Sequence, residues 1–145
     1  MSATNGLGHY DNQKRAKQLI RFDVMVFDRN KSFTDTDAIM DYRGIAWLMF
    51  EVKTGDAKLT TGQRILAEHF VEMARDAGRY AVVAVVEHHV DDCSQPVYLA
   101  DCDVRELYDS RGMEWRRPKE PMKAKLFASR FVWYVRRMRR NENPA

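Results

Sequence analysis

The stretch 34-TDTDAIMDYRGIAWLMFEVK-53 decides the fold, because it reads as two short strands joined by a tight turn. Gly44 is third in Tyr42-Arg43-Gly44, where a three-residue hairpin loop takes a left-handed residue beside a bulge. A two-residue Arg43-Gly44 loop is the alternative, and the position of the glycine favours the longer one. The three-residue loop pairs Asp41 with Ile45, Ile39 with Trp47, Asp37 with Met49, and Asp35 with Glu51.

This register brings charged side chains together, since directly paired residues share one face of a sheet. The shared face would carry Asp35, Asp37, Glu51 and Lys53, whereas the two-residue loop would put the aspartates on the face opposite Glu51. The second strand is apolar on both faces as far as Glu51, which is typical of a central strand covered by helices. Charges at the end of such a strand are costly unless paired, so we expect a metal or an ion pair there.

The rest of the chain supplies covering helices and further strands. Thr60 or Thr61 caps a helix that ends near Gly78, and Gln63 in its first turn points inward, toward the end of the Glu51 strand. Tyr80 to Val86 is a β-branched run that predicts a second buried strand, parallel to the first. Residues 96–100 are a candidate for another strand, and a long helix runs from residue 121 or 122 to Arg140. The pattern predicts an α/β fold, in which a small mixed sheet with a hairpin core is flanked by helices.

The length of the chain indicates the number of domains, and the distribution of charge indicates one class of partner. A chain of 145 residues fits one domain, 1–145, with flexible ends at 1–9 and 141–145. From Trp115 onward ten basic and two acidic residues give +8, so the remainder of this +3 chain carries −5. A basic tail on an acidic body suits a protein that holds a polyanion at one end, although a solvated helix face explains the charges equally well.

Basic residues near both ends are therefore the predicted nucleic-acid contacts. A helix over residues 10–22 is expected to contribute three of them, and the C-terminal region the others. Trp115 or Trp133 would stack on bases, although core packing explains these aromatic residues equally well. The predicted contacts are Lys14, Arg15, Lys17, Arg116, Arg117, Lys123, Arg136, Arg137 and Arg140.

Composition excludes several other classes of protein. The longest uncharged apolar runs, 44–50 and 80–86, are far too short to span a bilayer, so no membrane contact is expected. Two cysteines are too few for a disulfide scaffold, which favours a reducing, cytoplasmic location. His88, His89, Cys93 and Cys102 lack the spacing of a standard zinc site.

The residues around the hairpin resemble a known family. Asp37, a turn glycine at Gly44 and then Glu51-Val52-Lys53 are similar to the Asp-x(n)-Glu-x-Lys core of the PD-(D/E)XK nuclease superfamily. The following Leu59-Thr60-Thr61-Gly62-Gln63 resembles the helix opening of virus-type replication-repair nucleases and some Holliday-junction resolvases. The resemblance covers about residues 32–86. It implies a restriction-endonuclease-like fold and metal-dependent hydrolysis of DNA in a bacterial or phage-infected cell.

The resemblance also implies roles for individual residues. Asp37, Glu51 and the Val52 carbonyl would hold Mg²⁺ or Mn²⁺, with Asp35 as a further candidate ligand. Lys53 would orient or help to deprotonate the attacking water, and Gln63 would support water or substrate. Thr36 replaces the name-giving proline, and no glutamate precedes Glu51 to serve as an extra ligand.

Two alternatives to an active nuclease remain open. The first is a catalytically inactive nuclease-fold module that binds nucleic acid or a protein partner. The second is an unrelated α+β interaction domain in which residues 35–53 are an ordinary surface hairpin. A homodimer would suit a symmetric DNA substrate.

Overall fold

The structure is a computed structural model that describes residues 26–27, 31–32 and 36–142. The chain divides into two units, Met1–Thr34 and Asp35–Ala145. In the first unit, strand β1 (Val26–Phe27) pairs antiparallel with β2 (Lys31–Ser32). The predicted contacts Lys14, Arg15 and Lys17 and the candidate ligand Asp35 lie outside the described residues.

Four strands of the second unit form one mixed sheet in the order β3-β4-β5-β6. Their bounds are Ala38–Tyr42, Ala46–Thr54, Tyr80–His88 and Asp103–Asp109. The β4–β5 pair is parallel and the two outer pairs are antiparallel. Helix α1 (Thr61–Asp76) connects the parallel strands, and α2 (Ala124–Glu142) follows β6. The predicted α/β fold with a parallel central pair is confirmed.

The two helices cover opposite faces of the central strands. On one face, buried side chains of β4 and β5 such as Leu48 and Val82 pack with Phe131 and Val135 of α2. On the other face, Met49 and its β5 neighbours pack against α1. Each fully buried aliphatic side chain stabilises the fold by about 1.5 to 3 kcal/mol through the hydrophobic effect. A strand that is apolar on both faces can be buried only in this sandwich, as its pattern predicted.

The hairpin register differs from the predicted one by two residues. Tyr42 pairs with Ala46 and Ile39 with Met49, so the loop is Arg43-Gly44-Ile45, and both predicted loops were wrong. Arg43 and Gly44 are both left-handed, with φ of 54° and 67°. The Ile45 N–H closes the turn on the Tyr42 carbonyl at 3.1 Å. A non-glycine residue in the left-handed region has no clear sequence signature, which explains the error.

The two-residue shift leaves the described side chains of the hairpin on their predicted faces, since strand side chains repeat with period two. Extended by one residue past Ala38↔Phe50, the observed register brings Asp37 opposite Glu51 instead of Met49. The Asp41 carboxylate belongs to the turn, where its Oδ1 accepts a hydrogen bond of 2.7 Å from the Gly44 N–H.

The strand predicted at residues 96–100 was wrong. A 3₁₀ turn spans Leu99–Asp101, and β6 begins only at Asp103. The β6 sequence DVRELYD carries four charged residues, which hide its periodicity. A bulge where β6 pairs with Val85 and Val86 further interrupts the alternation.

Candidate active site

Three of the predicted catalytic side chains meet at the C-terminal end of β4. The Gln63 Nε2 donates to Glu51 Oε1 at 2.7 Å, and the Lys53 Nζ donates to Gln63 Oε1 at 2.7 Å. The Lys53 Nζ also lies 3.2 Å from Glu51 Oε1. The carboxylate, ammonium and amide groups therefore form a closed triangle.

The start of α1 positions Gln63 for these contacts. The Thr60 hydroxyl accepts from the Gln63 N–H, and the Gln63 Oε1 accepts from the Thr60 N–H, both at 3.1 Å, so the two residues form a capping box. The two donors at Oε1, from Thr60 and Lys53, fix the orientation of the amide, and its NH₂ group faces the Glu51 carboxylate. The helix cap and the charged pair thus share one side chain.

The Glu51–Lys53 pair is largely removed from solvent. Each of the two side chains is 13% exposed. The preceding residues Met49 and Phe50 are buried, one against each helix layer. Ion pairs in such surroundings are screened less by water and salt than surface pairs.

Asp37 lies at the edge of the sheet, one peptide unit from this triangle. Its Oδ2 accepts a hydrogen bond of 2.7 Å from the Val52 N–H. The N–H and C=O of a strand residue point to the same edge of the strand, so the Val52 carbonyl is directed to the Asp37 side of β4. The predicted oxygen ligands therefore lie on neighbouring residues at this end of the sheet.

The chemistry of these donors fits a hard divalent cation. The two carboxylates and a backbone carbonyl are oxygen ligands, and Mg²⁺ commonly takes one or two carboxylates and keeps several waters. A carboxylate has about four acceptor sites, so the contacts of Glu51 with Gln63 and Lys53 are compatible with a cation on the same group. Within the described residues, no group of three or more His, Cys, Asp or Glu side chains is arranged to hold a metal. A cation held here would therefore need the Val52 carbonyl and water as further ligands.

A cleft with a volume of roughly 520 Å³, here called the basic cleft, is lined by four cations and by the carboxylates of Asp56 and Glu106. Its cations are Lys58 from the β4–α1 loop, Arg64 from α1, Arg105 from β6, and Arg117. The Arg105 Nη1 lies 3.4 Å from a Glu87 oxygen, whereas its buried Nη2 has no hydrogen-bond partner in the described part of the chain. Of the four cations the sequence pattern selected only Arg117. Recognition of β6 as a strand would have placed Arg105 at the same end of the sheet.

The two tryptophans proposed as stacking platforms differ in environment. Trp115 packs 5.2 Å from the Tyr108 ring, lies under the Arg64 guanidinium, and donates from Nε1 to Glu68. Trp133 is 60% exposed on α2. Core packing thus accounts for Trp115 and does not account for Trp133.

Arg116, a predicted nucleic-acid contact, is held by a carboxylate. Its guanidinium donates to the buried Asp109, whose other oxygen accepts from the N–H groups of Arg111 and Gly112. Burial alone would raise the pKa of Asp109, but the Arg116 hydrogen bond and these backbone donors hold the pKa below its ordinary value. Burial and the neighbouring Asp109 charge raise the pKa of Tyr80 well above its usual range.

The remaining predicted contacts lie on or just before α2. The Lys123 Nζ donates to Asp103 at 2.7 Å, and this hydrogen bond raises the pKa of the lysine. The Arg136 Nε lies 3.4 Å from the Tyr42 hydroxyl. The Arg137 guanidinium lies 5.2 Å from the centroid of the Trp133 ring, and Arg140 is exposed.

The histidines and cysteines of the β5–β6 region form local contacts. The His88 Nε2 lies 3.0 Å from the Thr54 hydroxyl, and the His89 Nε2 lies 3.9 Å from Glu87. Cys93 is an exposed thiol and Cys102 a buried one, and both are free. Burial raises the pKa of the Cys102 thiol.

No protein-family model, curated protein or solved structure matches this chain. Over the described residues, no helix combines the length and the apolar character needed to cross a membrane. Membership of the PD-(D/E)XK superfamily stays a prediction, based on the residues quoted above and on the geometry of the triangle.

Proposed function

We propose that the chain is a metal-dependent nuclease that hydrolyses phosphodiester bonds in DNA, with Asp37, Glu51, Lys53 and Gln63 as its centre. The observation that carries the proposal is the closed Glu51–Lys53–Gln63 triangle at the shielded end of a central strand, with the Asp37 carboxylate against the next peptide unit. An ordinary surface ion pair would consist of Glu51 and Lys53 alone, whereas here the side-chain amide of Gln63, from α1, bonds to both of them.

Asp37, Glu51 and the Val52 carbonyl are the residues that would hold Mg²⁺ or Mn²⁺. Such an ion supplies Lewis-acid chemistry, because it acidifies water and offsets negative charge on a phosphate. Oxygen ligands from adjacent strand residues suit these ions better than softer metals.

Lys53 provides a fixed positive charge beside the carboxylates. An ammonium has three N–H donors, and the contacts with Gln63 and Glu51 use two of them. The third is suited to a phosphate oxygen or to the attacking water, whose approach it would orient. Gln63 holds both charged groups in place through its amide, as a positioning residue. In the basic cleft, Lys58 and Arg117 would bind flanking phosphates, since no ion pair involves either of them among the described residues. Arg64 and Arg105 are already paired with Glu106 and Glu87.

Replacement of the charged groups tests the proposal. We expect Glu51→Gln and Lys53→Met each to lower Mg²⁺-dependent cleavage by at least about 100-fold, the scale of losing one transition-state contact. Purified protein would be incubated with linear, single-stranded and four-way-junction DNA, with circular dichroism as the check of folding. Glu114→Gln, an exposed glutamate outside the site, is the matched control. Wild-type cleavage that persists in EDTA would contradict the proposal.

A nuclease-fold module without catalysis is the second candidate. The observation that favours it is the absence, within the described residues, of a cluster of three side-chain ligands, while the Lys53 ammonium contacts Glu51. Calorimetric titration with Mn²⁺ separates the two functions. A degenerate site would take up no metal at millimolar concentration, whereas the nuclease should bind Mn²⁺ and lose that binding in Asp37→Asn and Glu51→Gln.

A further inference from the structure

One exposed face of α2 carries a stripe of arginines with a tryptophan at its centre. The spacing of four, three, four and three residues places these side chains on one side of a helix. All of them are exposed, and they lie about half a turn from Phe131 and Val135, which are buried against the sheet. The stripe consists of Leu126, Arg130, Trp133, Arg137 and Arg140.

Trp133 has no packing role that explains it. Its side chain is 60% exposed. The residues that bury this helix against the sheet, such as Phe131 and Val135, lie on its opposite side. The Arg137 guanidinium lies 5.2 Å from the ring centroid and contacts it as a cation–π pair. The contact aligns the aromatic ring with the row of positive charge and leaves most of the side chain open to solvent.

The charge of this segment is of one sign. Residues 121–141 contain seven basic residues and no Asp or Glu. Among the described residues, no ion pair involves Arg130, Arg137 or Arg140, in contrast to Lys123 with its Asp103 partner. Like charges at helical spacings of three and four destabilise a helix, so a bound polyanion would remove a repulsion that the free helix bears.

We propose that this stripe binds a single-stranded nucleic acid, with a base stacked on Trp133 and backbone phosphates paired with Arg130, Arg137 and Arg140. An exposed aromatic ring within a basic track is the feature that selects single strands, because every unpaired base offers a face for stacking. In a duplex the bases are already stacked on each other, so Trp133 would gain no contact. From Arg130 to Arg140 the helix rises by about 15 Å, which is enough for a short run of nucleotides.

Two other occupants fit the stripe less well. Insertion of α2 into a lipid surface needs an apolar face, and the apolar face of this helix is already buried against the sheet. A second copy of the chain would bring arginines against arginines. It would bury only two apolar side chains, Leu126 and Trp133, on each side.

The stripe is separate from the Glu51 triangle. The α2 helix covers one face of the sheet, whereas Glu51 contacts Gln63 of α1, which covers the other. A nucleic-acid strand bound to α2 would therefore lie on the face of the sheet opposite the proposed catalytic centre. The proposal goes beyond the nuclease function and does not depend on it.

Fluorescence anisotropy with a labelled 20-nucleotide oligothymidylate in EDTA tests the proposal. We expect Trp133→Ala to weaken binding roughly 5- to 100-fold, from the loss of one stacked base, and Trp133→Phe to restore most of it. Joint replacement of Arg130, Arg137 and Arg140 by Gln should lower the slope of log K against log salt by about 2, at about 0.7 per phosphate contact. Arg75→Gln, on α1 and paired with Asp76, is the matched charge control.

Several outcomes would overturn the proposal. Equal binding by the folded Trp133→Ala variant and by wild type would reject the stacking contact. A triple-variant slope no different from that of Arg75→Gln would reject the phosphate contacts. Equal Trp133 dependence on a duplex probe would reject the single-strand preference. Trp133-dependent dimerisation in sedimentation, or Trp133-dependent binding to phosphatidylglycerol vesicles without binding to the oligonucleotide, would assign the stripe to another partner.

The assay contains no divalent metal, so the two proposals fail separately. Trp133-dependent binding without cleavage on addition of Mg²⁺ would reject only the nuclease. Mg²⁺-dependent cleavage with Trp133-independent binding would reject only the stripe.

Discussion

Replacement of Gln63 is the sharpest test of how the triangle is held together. In Gln63→Ala, the Glu51 carboxylate loses a donor at 2.7 Å, and Lys53 loses an acceptor at the same distance. The Thr60 N–H also loses its side-chain acceptor. Hydrogen bonds to charged groups contribute about 1.5 to 3 kcal/mol each and half of a capping box less than about 1 kcal/mol, before water compensates part of the loss. We therefore expect a loss of about 2 to 3 kcal/mol, or roughly 4 to 12 °C in Tm.

Gln63→Glu separates electrostatics from the loss of the side chain. A glutamate can still accept from Thr60 and Lys53, but it replaces the Nε2 donor with a carboxylate oxygen against Glu51. Two carboxylates about 4 Å apart repel by about 4 kcal/mol at an effective dielectric constant of 20, and the Lys53 ammonium offsets part of this. The repulsion raises the folded-state pKa of one member of the carboxyl pair.

The sign of the pH dependence follows from that shift. A carboxyl group with a raised folded-state pKa is protonated more readily in the folded protein than in the unfolded one. Gln63→Glu should therefore lie nearest wild type below the ordinary glutamate pKa of about 4.3 and fall behind it as the pH rises. Gln63→Ala adds no second carboxylate but removes a donor from the Glu51 carboxylate, so its deficit should also shrink at low pH, with a smaller pH dependence than that of Gln63→Glu.

Thermal unfolding followed by circular dichroism between pH 4 and pH 7, in EDTA, measures both variants against wild type. Gln63→Glu that parallels Gln63→Ala at every pH would refute the contact between Gln63 and Glu51. A glutamate variant more stable than wild type at pH 7 would refute it as well. Addition of Mg²⁺ gives a further comparison, since a third carboxylate at the proposed metal site should make the stabilisation by Mg²⁺ larger than in wild type.

Two further predictions concern the end of the sheet opposite the site. The lowered pKa of Asp109 means that its stabilising contribution is fully present above the ordinary aspartate pKa of about 3.9 and is lost as the pH falls through the folded-state value. Asp109→Asn should thus cost about 1.5 to 3 kcal/mol in urea unfolding at pH 7 and progressively less as the pH falls from about 3.9 through the folded-state pKa of Asp109, and a cost that does not decline on acidification would contradict the charge pairing with Arg116. Gly44→Ala meets no atom within 4 Å, but the residue has φ of 67°, so we expect a cost of about 1 to 2 kcal/mol from the backbone alone. Gly44→Asn should cost less, and equal stability of wild type and Gly44→Ala would show that this left-handed turn is not retained.

The central sheet was predictable because its signal is local and strong. Runs that are apolar on both faces, such as 45–50 and 80–86, have to be covered on both sides, and this requirement alone implies helices above and below β4 and β5. The position of Gln63 was predictable for a related reason. Gln63 lies one helical turn before the buried Ala67, and Thr60 sets the start of the helix that carries it. The apolar stripe itself was only partly predicted, because Leu66 is 39% exposed.

The hairpin loop and strand β6 could not be predicted, because backbone conformation at one residue and ion pairs between distant residues leave no pattern in the sequence. The hairpin loop was misplaced because Arg43 adopts a left-handed conformation that usually marks glycine or asparagine. The β6 strand was missed because Arg105 and Glu106 are charged, and their partners Glu87 and Arg64 come from distant parts of the chain. Long-range ion pairs leave no periodic trace, so the basic cleft that they border could not be placed from the sequence.

Although the hairpin register was predicted wrongly, Asp37, Glu51 and Lys53 were still assigned to one face of the sheet. When the register of a hairpin shifts by an even number of residues, each residue gains a new partner along the strand, but its side chain stays on the same face of the sheet. In the observed register Asp37 lies one residue beyond the last paired residue, Ala38, and its side chain accepts the hydrogen bond from the Val52 N–H.

Asp37, Glu51 and Lys53 together carry a net charge of −1, which repels a phosphate, and one divalent cation would change this charge to +1. The same three residues would then attract the backbone that they are proposed to cut, so metal and DNA should bind with positive cooperativity.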